Sequence, residues 1–266
     1  MRGPKRIVCL TEETVETLYL LGAEDRIVGV TGYAVRPARV RREKPRVGAF
    51  TSADVPKILA LEPDLVLTFS DLQADIAADL IRAGVAVHAF NQRSVAGIFE
   101  MIATLGALVN RAREAEALTA ELQANIAQVR RAAEGRLRPR VYFEEWDEPP
   151  IAGIAWASEL IGIAGGVDVF ADRAASQGAK GRILDASEVI AARPDLIIAS
   201  WCGKKVRPEK IAARAGWADI PAVSQRRIVE VKSPLVLAPG PAALSDGLAA
   251  IAAAVSETAD AMEAVA

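Results

Sequence analysis

The chain has 266 residues, of which 52% are hydrophobic and 25% charged, so it can bury a large core and lacks the composition of a disordered protein. Lys and Arg number 32 and Asp and Glu 34; the formal net charge of −2 excludes a global basic field for nucleic acid. Two cysteines in different halves of the chain exclude a disulfide framework and a four-ligand zinc site, and no apolar run reaches the roughly 18 residues of a membrane span.

Short apolar runs alternate with segments of helical periodicity through the first half of the chain. The predicted strands are "RIVCL", "RIVGV", "DLVLTF" and "VAVHAF". The predicted helices are "EETVETLYLLGA", "SADVPKILALEP", "LQADIAADLIRAG" and "SVAGIFEMIATLGALV". Strands flanked by helices on this scale predict an α/β fold with a parallel, doubly wound sheet.

Residues 110–135, "NRAREAEALTAELQANIAQVRRAAEG", predict one long helix. The segment has no Pro and no interior Gly, and it is rich in Ala, Glu, Leu, Gln and Arg, which favour helices. Gly135 is a suitable residue to end it.

The alternation resumes after this helix, and part of it repeats the first half. "VPKILALEPDLVLTFSD" (55–71) matches "SEVIAARPDLIIASWCG" (187–203), with Asp64 aligned to Asp195. The repeat predicts two similar lobes: residues 1–109, a linker helix over 110–135, and residues 136–266.

Three segments carry a resemblance to a known family: "ALEPDLVL", "YFEEWDEPPIAGIAWASELIGIAGGVDVF" and "ARPDLIIASWCGKKVRPEKI". The chain resembles the ABC-importer substrate-binding proteins in which a helix joins two lobes, a family that includes vitamin B12, ferric siderophore and haem binding proteins. It is most similar to the cobalamin-binding branch. The resemblance implies two α/β lobes, a rather rigid linker helix, and a ligand held in the cleft between the lobes.

Candidate ligand contacts follow from a general rule: ligands of open parallel sheets bind beyond the carboxyl ends of the strands. Large rings near such strand ends can each contribute up to roughly 4–6 kcal/mol through buried area. The aromatic candidates are Tyr33, Phe50, Phe69, Trp146, Trp156 and Trp201. The polar candidates are Asp71, Cys202, Lys204 and Ser233. Phe69 and Trp201 lie one position apart in the register of the repeat and are expected to face each other across the cleft.

Two residues bear on the identity of the ligand. The Cys202 thiol is either a small packed side chain or, with its pKa lowered by Lys204 and Lys205, a ligand for the cobalt of a corrinoid. The single histidine, His88, lies inside a predicted strand and is expected to pack in the core, which disfavours haem, although Tyr33 keeps haem open. No resident metal or cofactor is predicted, since the metal is expected to belong to the bound ligand.

The predicted function is non-catalytic binding of a corrinoid or related metal chelate for an ABC importer. The resemblance implies permease partners that dock on acidic residues, here Asp75 and Glu209, and Glu209 equally suits a helix N-terminus. The chain lacks the nucleotide-binding and hydrolase motifs of common enzymes, and we expect a monomer. The alternative is a cytosolic relative that handles a metal cofactor or chelate, with Cys202 or the acidic segment from Glu144 to Glu148 as ligand or active group.

The first residues of the chain bear on the choice between an importer component and a cytosolic protein. "MRGPKRIVCL" offers only a four-residue apolar run after its basic residues, too short for a signal peptide. The chain as written is therefore expected to be cytoplasmic, or periplasmic or otherwise extracytoplasmic if a leader has been removed.

Overall fold

The computed structural model describes residues 3–264, which form two compact units. Residues 3–92 and 96–122 make up the first unit, and residues 93–95 and 123–264 the second. The division falls within the long helix predicted for residues 110–135, which runs from Ala112 to Ala133. The outermost residues of the two predicted lobes, 1–2 and 265–266, lie outside the described range.

The first unit is built on a four-stranded sheet in which every strand pair is parallel. Its strands are β1 (Ile7–Cys9), β2 (Ile27–Val30), β3 (Leu65–Phe69) and β4 (Val87–Phe90), in the order β2-β1-β3-β4. The helices that begin in this half of the chain are α1 (Glu12–Leu20), α2 (Val40–Glu43), α3 (Val55–Ala60), α4 (Ala74–Arg82), α5 (Val95–Leu108) and α6 (Ala112–Ala133).

The second unit contains a five-stranded sheet. Its strands are β5 (Arg140–Asp147), β6 (Pro150–Ala152), β7 (Val167–Asp168), β8 (Leu196–Ala199) and β9 (Ile228–Glu230). Its helices are α7 (Ala155–Ile163), α8 (Ala171–Ala174), α9 (Ala186–Ala192), α10 (Pro208–Ala212), α11 (Pro221–Ser224), α12 (Ser233–Val236) and α13 (Leu248–Glu263), the last preceded by a π-helical turn (Ala243–Gly247). α7 packs against β5 and α13 against β8.

The two sheets share one topology, which confirms the prediction of two similar α/β lobes with parallel sheets. In the second unit β7, β5, β8 and β9 are paired in parallel in the way that β2, β1, β3 and β4 are paired in the first. The antiparallel strand β6 is an addition to the second unit only.

The repeated Pro-Asp motif has the same role in both units. The Asp64 carboxylate accepts the backbone N–H groups of Lys5 and Arg6 at 2.7 and 2.9 Å, and the Arg6 guanidinium donates to the Leu61 carbonyl. In the second unit Asp195 accepts the Arg140 backbone N–H at 2.8 Å, while the Arg140 guanidinium donates to the Ala192 carbonyl at 2.9 Å. Each Asp therefore joins the end of one helix to the start of a central strand.

The last residues of β5 pair with a different neighbour from the rest of the strand. The strand continues to Asp147 because its last residues pair with β6, with Trp146 opposite Ile151. Parallel pairing with β8 ends at Glu144, opposite Ala199. Glu144 consequently lies within the sheet, and only the residues after it extend beyond the parallel strands.

None of the helices within residues 3–264 has the length and apolar composition that crossing a membrane would require.

We predict that Asp195→Asn and Asp64→Asn each lower the free energy of unfolding by about 1–2 kcal/mol, because a charge-assisted hydrogen bond to a backbone N–H is weakened. Urea denaturation followed by circular dichroism measures the change. Asp79→Asn is the matched control, since Asp79 is exposed and pairs with Arg82 on the surface of α4. A loss from Asp79→Asn as large as that from either motif residue would contradict this role.

Candidate functional site

A fully buried carboxylate organises the carboxyl edge of the second sheet. Glu144 is 0% exposed and accepts hydrogen bonds from the Trp201 indole N–H at 3.0 Å and the Tyr142 hydroxyl at 3.1 Å. The Arg214 guanidinium forms two further bonds to the same carboxylate, one of them 3.0 Å long. Burial raises the pKa of Glu144, and the hydrogen bonds from Arg214, Trp201 and Tyr142 oppose that shift.

The two carboxylates that follow on β5 are also paired. Arg182, itself almost completely buried, donates to both oxygens of Glu145 at 2.5 and 3.1 Å and to the Ala152 carbonyl at 2.6 Å. Asp147 forms an ion pair with Lys204. Glu144, Glu145 and Asp147 are thus each paired with a cation from a different part of the second unit.

Trp146, Trp201 and Lys204 are the predicted site residues that the structure brings together. The Lys204 ammonium lies 3.9 Å from the centre of the Trp146 ring and 5.1 Å from that of Trp201. The Trp146 indole N–H donates to the Glu148 carbonyl at 3.0 Å. Trp201 is only 2% exposed and packs in the core of the unit, so little of its ring is open to a ligand; its ligand contact stays a prediction.

The other candidates of the second unit lie in different settings. Trp156 is buried and donates its indole N–H to the Val236 carbonyl at 2.7 Å, which ties it to α12, the helix that Ser233 begins. Cys202 is exposed and forms no disulfide. Lys204, invoked as an activator of that thiol, is already paired with Asp147.

In the first unit, the side chain of Gln73 links two predicted aromatic contacts. Gln73 accepts the Phe69 backbone N–H at 2.9 Å and donates to the carbonyls of Phe50 at 2.7 Å and Leu10 at 3.1 Å. The Phe69 ring is buried, Phe50 is half-buried, and Tyr33, just beyond β2, is 46% exposed. Asp71 follows β3 and is exposed. Tyr33 therefore offers the most accessible ring among the predicted contacts.

A second acidic group lies at the start of α1. Burial raises the pKa of Glu12 to about 8, with further contributions from Glu13 and Glu16, and raises the pKa of Glu13 to about 7. The Thr11 hydroxyl donates to Glu13 at 2.6 Å, and Arg36 pairs with Glu16 at 2.7 Å. The edge of the first sheet therefore carries carboxyl groups that titrate near neutral pH.

The structure places the two predicted docking residues on exposed first turns of helices, Asp75 on α4 and Glu209 on α10. Their contact with a transporter stays a prediction.

His88 is half-buried in β4, with its ring 4.3 Å from the ring of Phe90, and burial lowers its pKa. Within residues 3–264, no group of three or more His, Cys, Asp or Glu side chains is placed to hold a metal ion.

Sequence reasoning missed Gln73, Arg182 and Arg214. Arg214 lies 70 residues from Glu144 and Arg182 lies 37 residues from Glu145, so no local pattern connects the pairs. The available signal was indirect: four acidic residues directly after a buried strand require cations nearby if any of them is buried.

Comparison with known proteins agrees with this architecture. A model of the periplasmic binding protein family matches residues 7–235. The chain belongs to the periplasmic binding protein family. Because the match includes all the strands described above, from β1 to β9, membership applies to both units of this binding protein.

Individual relatives show the range of this similarity. A cobalamin-binding protein of Halobacterium salinarum (strain ATCC 29341 / DSM 671 / R1) is 30% identical over 173 residues, 64% of this chain and 47% of the relative. The match thus spans about half of that relative's length. Bacillus subtilis (strain 168) has an uncharacterized ABC transporter substrate-binding lipoprotein, YvrC, that is 25% identical over 250 residues, 90% of this chain and 76% of the relative.

Among solved structures, the apo form of the periplasmic heme-binding protein RhuT from Roseiflexus sp. RS-1 superposes with a TM-score of 0.81 at 26% identity. The superposition covers 95% of this chain and 100% of that chain. This binding protein therefore shares its fold with a protein described as binding heme and resembles in sequence one described as binding cobalamin.

We predict that Arg214→Met destabilises this binding protein by about 3–5 kcal/mol, because it leaves the buried Glu144 carboxylate without its cation. The double variant Arg214→Met with Glu144→Leu is expected to recover most of the loss, since no unpaired charge then remains in the core. Urea denaturation followed by tryptophan fluorescence measures the free energy of unfolding of both variants.

Arg173→Met is the matched control for that experiment. It removes one cation from the partly exposed Arg173–Glu188 pair and should cost less than about 1 kcal/mol. An equal cost for Arg173→Met and Arg214→Met would contradict the assigned role of Glu144.

We predict that the free energy of unfolding falls as the pH rises from about 5 to 8. The raised pKa values of Glu12 and Glu13 mean that the folded state binds more protons than the unfolded state in this window. Each group contributes a slope of at most about 1.4 kcal/mol per pH unit. Urea titrations across this range should show a shallower slope for Glu12→Gln and an unchanged slope for Glu121→Gln, an exposed position on α6. Equal slopes for the wild type and Glu12→Gln would refute the prediction.

Proposed function

We propose that this chain binds a corrinoid or a related metal chelate without chemical turnover, as the solute-binding component of an ABC importer. The observation that carries the proposal is the family match over residues 7–235. The names of the relatives add support, because one is described as a cobalamin-binding protein and another as an ABC transporter substrate-binding lipoprotein.

Each sheet edge, taken by itself, carries aromatic surface of the kind that a ligand with a large, weakly polar face contacts. Tyr33 in the first unit and Trp146 in the second present aromatic surface beyond the strands. Rings of this size bury roughly 150–250 Å² each, and a few of them support micromolar or tighter binding. Phe50 and Trp201 are proposed as further contacts, and Asp75 and Glu209 as contacts with the permease.

The choice of a corrinoid over haem depends on the available axial ligands. His88 is half-buried within β4, opposite Leu67 of β3, and its ring is tilted against that of Phe90, so it is not a side chain at the carboxyl edge of the sheet. The exposed Tyr33 phenol could still meet a haem iron. Haem is therefore the second ligand to test.

The family description also supports a site of action outside the cytoplasm, which we propose for this chain. The alternative of a cytosolic protein with an active acidic segment receives no support from the geometry. Glu144, Glu145 and Asp147 are engaged by Arg214, Arg182 and Lys204, which gives these carboxylates structural roles.

Titration of the purified protein with cyanocobalamin, dicyanocobinamide, hemin and ferrichrome, followed by tryptophan quenching and calorimetry, tests the proposal. We expect stoichiometric binding of a corrinoid, with recovery of the unchanged ligand. Saturation by hemin alone would replace the corrinoid assignment, and the absence of saturation with all four probes would overturn the proposed function.

We predict that Tyr33→Ala weakens binding of whichever probe saturates the protein by about 5- to 30-fold, since a ring contact of about 1–2 kcal/mol is lost. Thermal stability should hardly change, because the ring is exposed. Leu137→Ala is the matched control: Leu137 is a similarly exposed apolar residue ahead of β5, on the opposite edge of the second sheet. Equal affinities of the two variants would remove Tyr33 from the site.

A further inference from the structure

Trp146, Trp201 and Asp147 form three sides of a small compartment, which we call the Trp146–Trp201 cage. Its centre is filled by the ammonium group of Lys204, which faces both rings at 3.9 and 5.1 Å and is paired with Asp147. Two aromatic faces and a carboxylate are the groups that proteins use to hold organic ammonium ions. In this structure the organic ammonium group in the cage is the protein's own Lys204 side chain.

The loop that carries Lys204 is anchored at its two ends and exposed between them. Trp201 is bound to Glu144, and the Val206 backbone N–H donates to Glu230 at 3.0 Å. Between these anchors the chain turns at Gly203, whose φ of 72° suits glycine, and residues 202–205 are exposed. Lys204 can therefore leave the cage by rotation of its long side chain, without unfolding of the anchored residues.

The charge of Asp147 decides what can take the place of Lys204. The Asp147 side chain is only 17% exposed, so removal of its cation leaves a poorly solvated carboxylate. A neutral or anionic group entering the cage would leave that charge unpaired. A cationic group would restore both the ion pair and the contacts with the two rings.

We propose that the Trp146–Trp201 cage is a binding subsite for an organic cation, a protonated primary amine or a similar alkylammonium group, for which the Lys204 side chain is exchanged. In the absence of such a cation Lys204 keeps the cage closed. The subsite selects the cationic group of a ligand at the carboxyl edge of the second sheet. It does not depend on the proposed metal-chelate ligand, because its occupant and its test are independent of any chelate.

Chemical rescue provides the test. Lys204→Ala deletes the three-carbon ammonium fragment that n-propylammonium reproduces. Calorimetry and tryptophan fluorescence should show saturable binding of n-propylammonium chloride to Lys204→Ala, about tenfold or more tighter than to the wild type, where the tethered lysine competes. Sodium chloride at equal ionic strength and neutral 1-propanol should give no saturation.

Three variants separate the cage from general charge effects. Lys205→Ala removes the neighbouring exposed lysine and should bind n-propylammonium no better than the wild type. Lys204→Met fills the cage with an uncharged chain and should also not bind it. Adding Asp147→Asn to Lys204→Ala should lower the affinity for n-propylammonium by about tenfold, since the paired charge is lost.

The proposal is overturned if Lys204→Ala binds n-propylammonium no better than Lys205→Ala, or if Asp147→Asn leaves the affinity of Lys204→Ala unchanged.

A measurement on the wild type keeps the proposal testable if Lys204→Ala does not fold. In NMR spectra of the wild type, at a concentration of n-propylammonium about tenfold higher than Lys204→Ala would require, the indole N–H resonances of Trp146 and Trp201 should shift. Those of Trp156 and Trp217 should not. Equal shifts of all four resonances, or none, would also overturn it. Loss of corrinoid binding together with intact propylammonium rescue would refute the proposed function alone.

Discussion

The burial of the Glu144 carboxylate constrains the whole carboxyl edge of the second sheet. A carboxylate with no exposed surface is tolerated only when cations and hydrogen-bond donors surround it, and here Arg214, Tyr142 and Trp201 supply them. These partners come from β5 itself, from the segment after β8 and from the segment after α10. The position of the Trp201 loop, and with it the position of Lys204, therefore follows from the need to satisfy one buried charge.

The two units use the same topology but differ in the chemistry of their edges. In the second unit the acids at the end of β5 are each matched by a cation, so this edge has little free charge. In the first unit Glu13 is buried and Glu12 partly buried at the start of α1, and this burial raises their pKa values to about 7 and about 8. The two units thus share the Pro-Asp hydrogen bonds at the start of a central strand, while the residues beyond the strands differ between them.

The parallel sheets, the repeat and the long helix were predictable because each depends on local patterns. Alternating apolar runs define strands, and a helix ending in Pro-Asp before a strand recurs at Asp64 and Asp195. The partners of the acidic segment were not predictable, since Arg182 and Arg214 are distant in sequence and their directions depend on tertiary packing. For the same reason the sequence could not show that the Trp201 indole N–H is bound to Glu144 and its ring largely enclosed, or that the last residues of β5 pair with an antiparallel strand, β6.

The pairing of charges at the second edge bears on ligand selection. Because Asp147 neutralises Lys204, an anionic ligand such as a ferric siderophore could not use that ammonium without leaving Asp147 unpaired. Within residues 3–264 the cations of this loop without an ionic partner are Lys205 and Arg207, and both are exposed to solvent. Exposed charges of this kind contribute little to affinity at physiological salt. We therefore propose that recognition at this edge depends mainly on aromatic surface and on exchange at the Trp146–Trp201 cage, and we expect a ligand with a broad weakly polar face rather than a strongly anionic one.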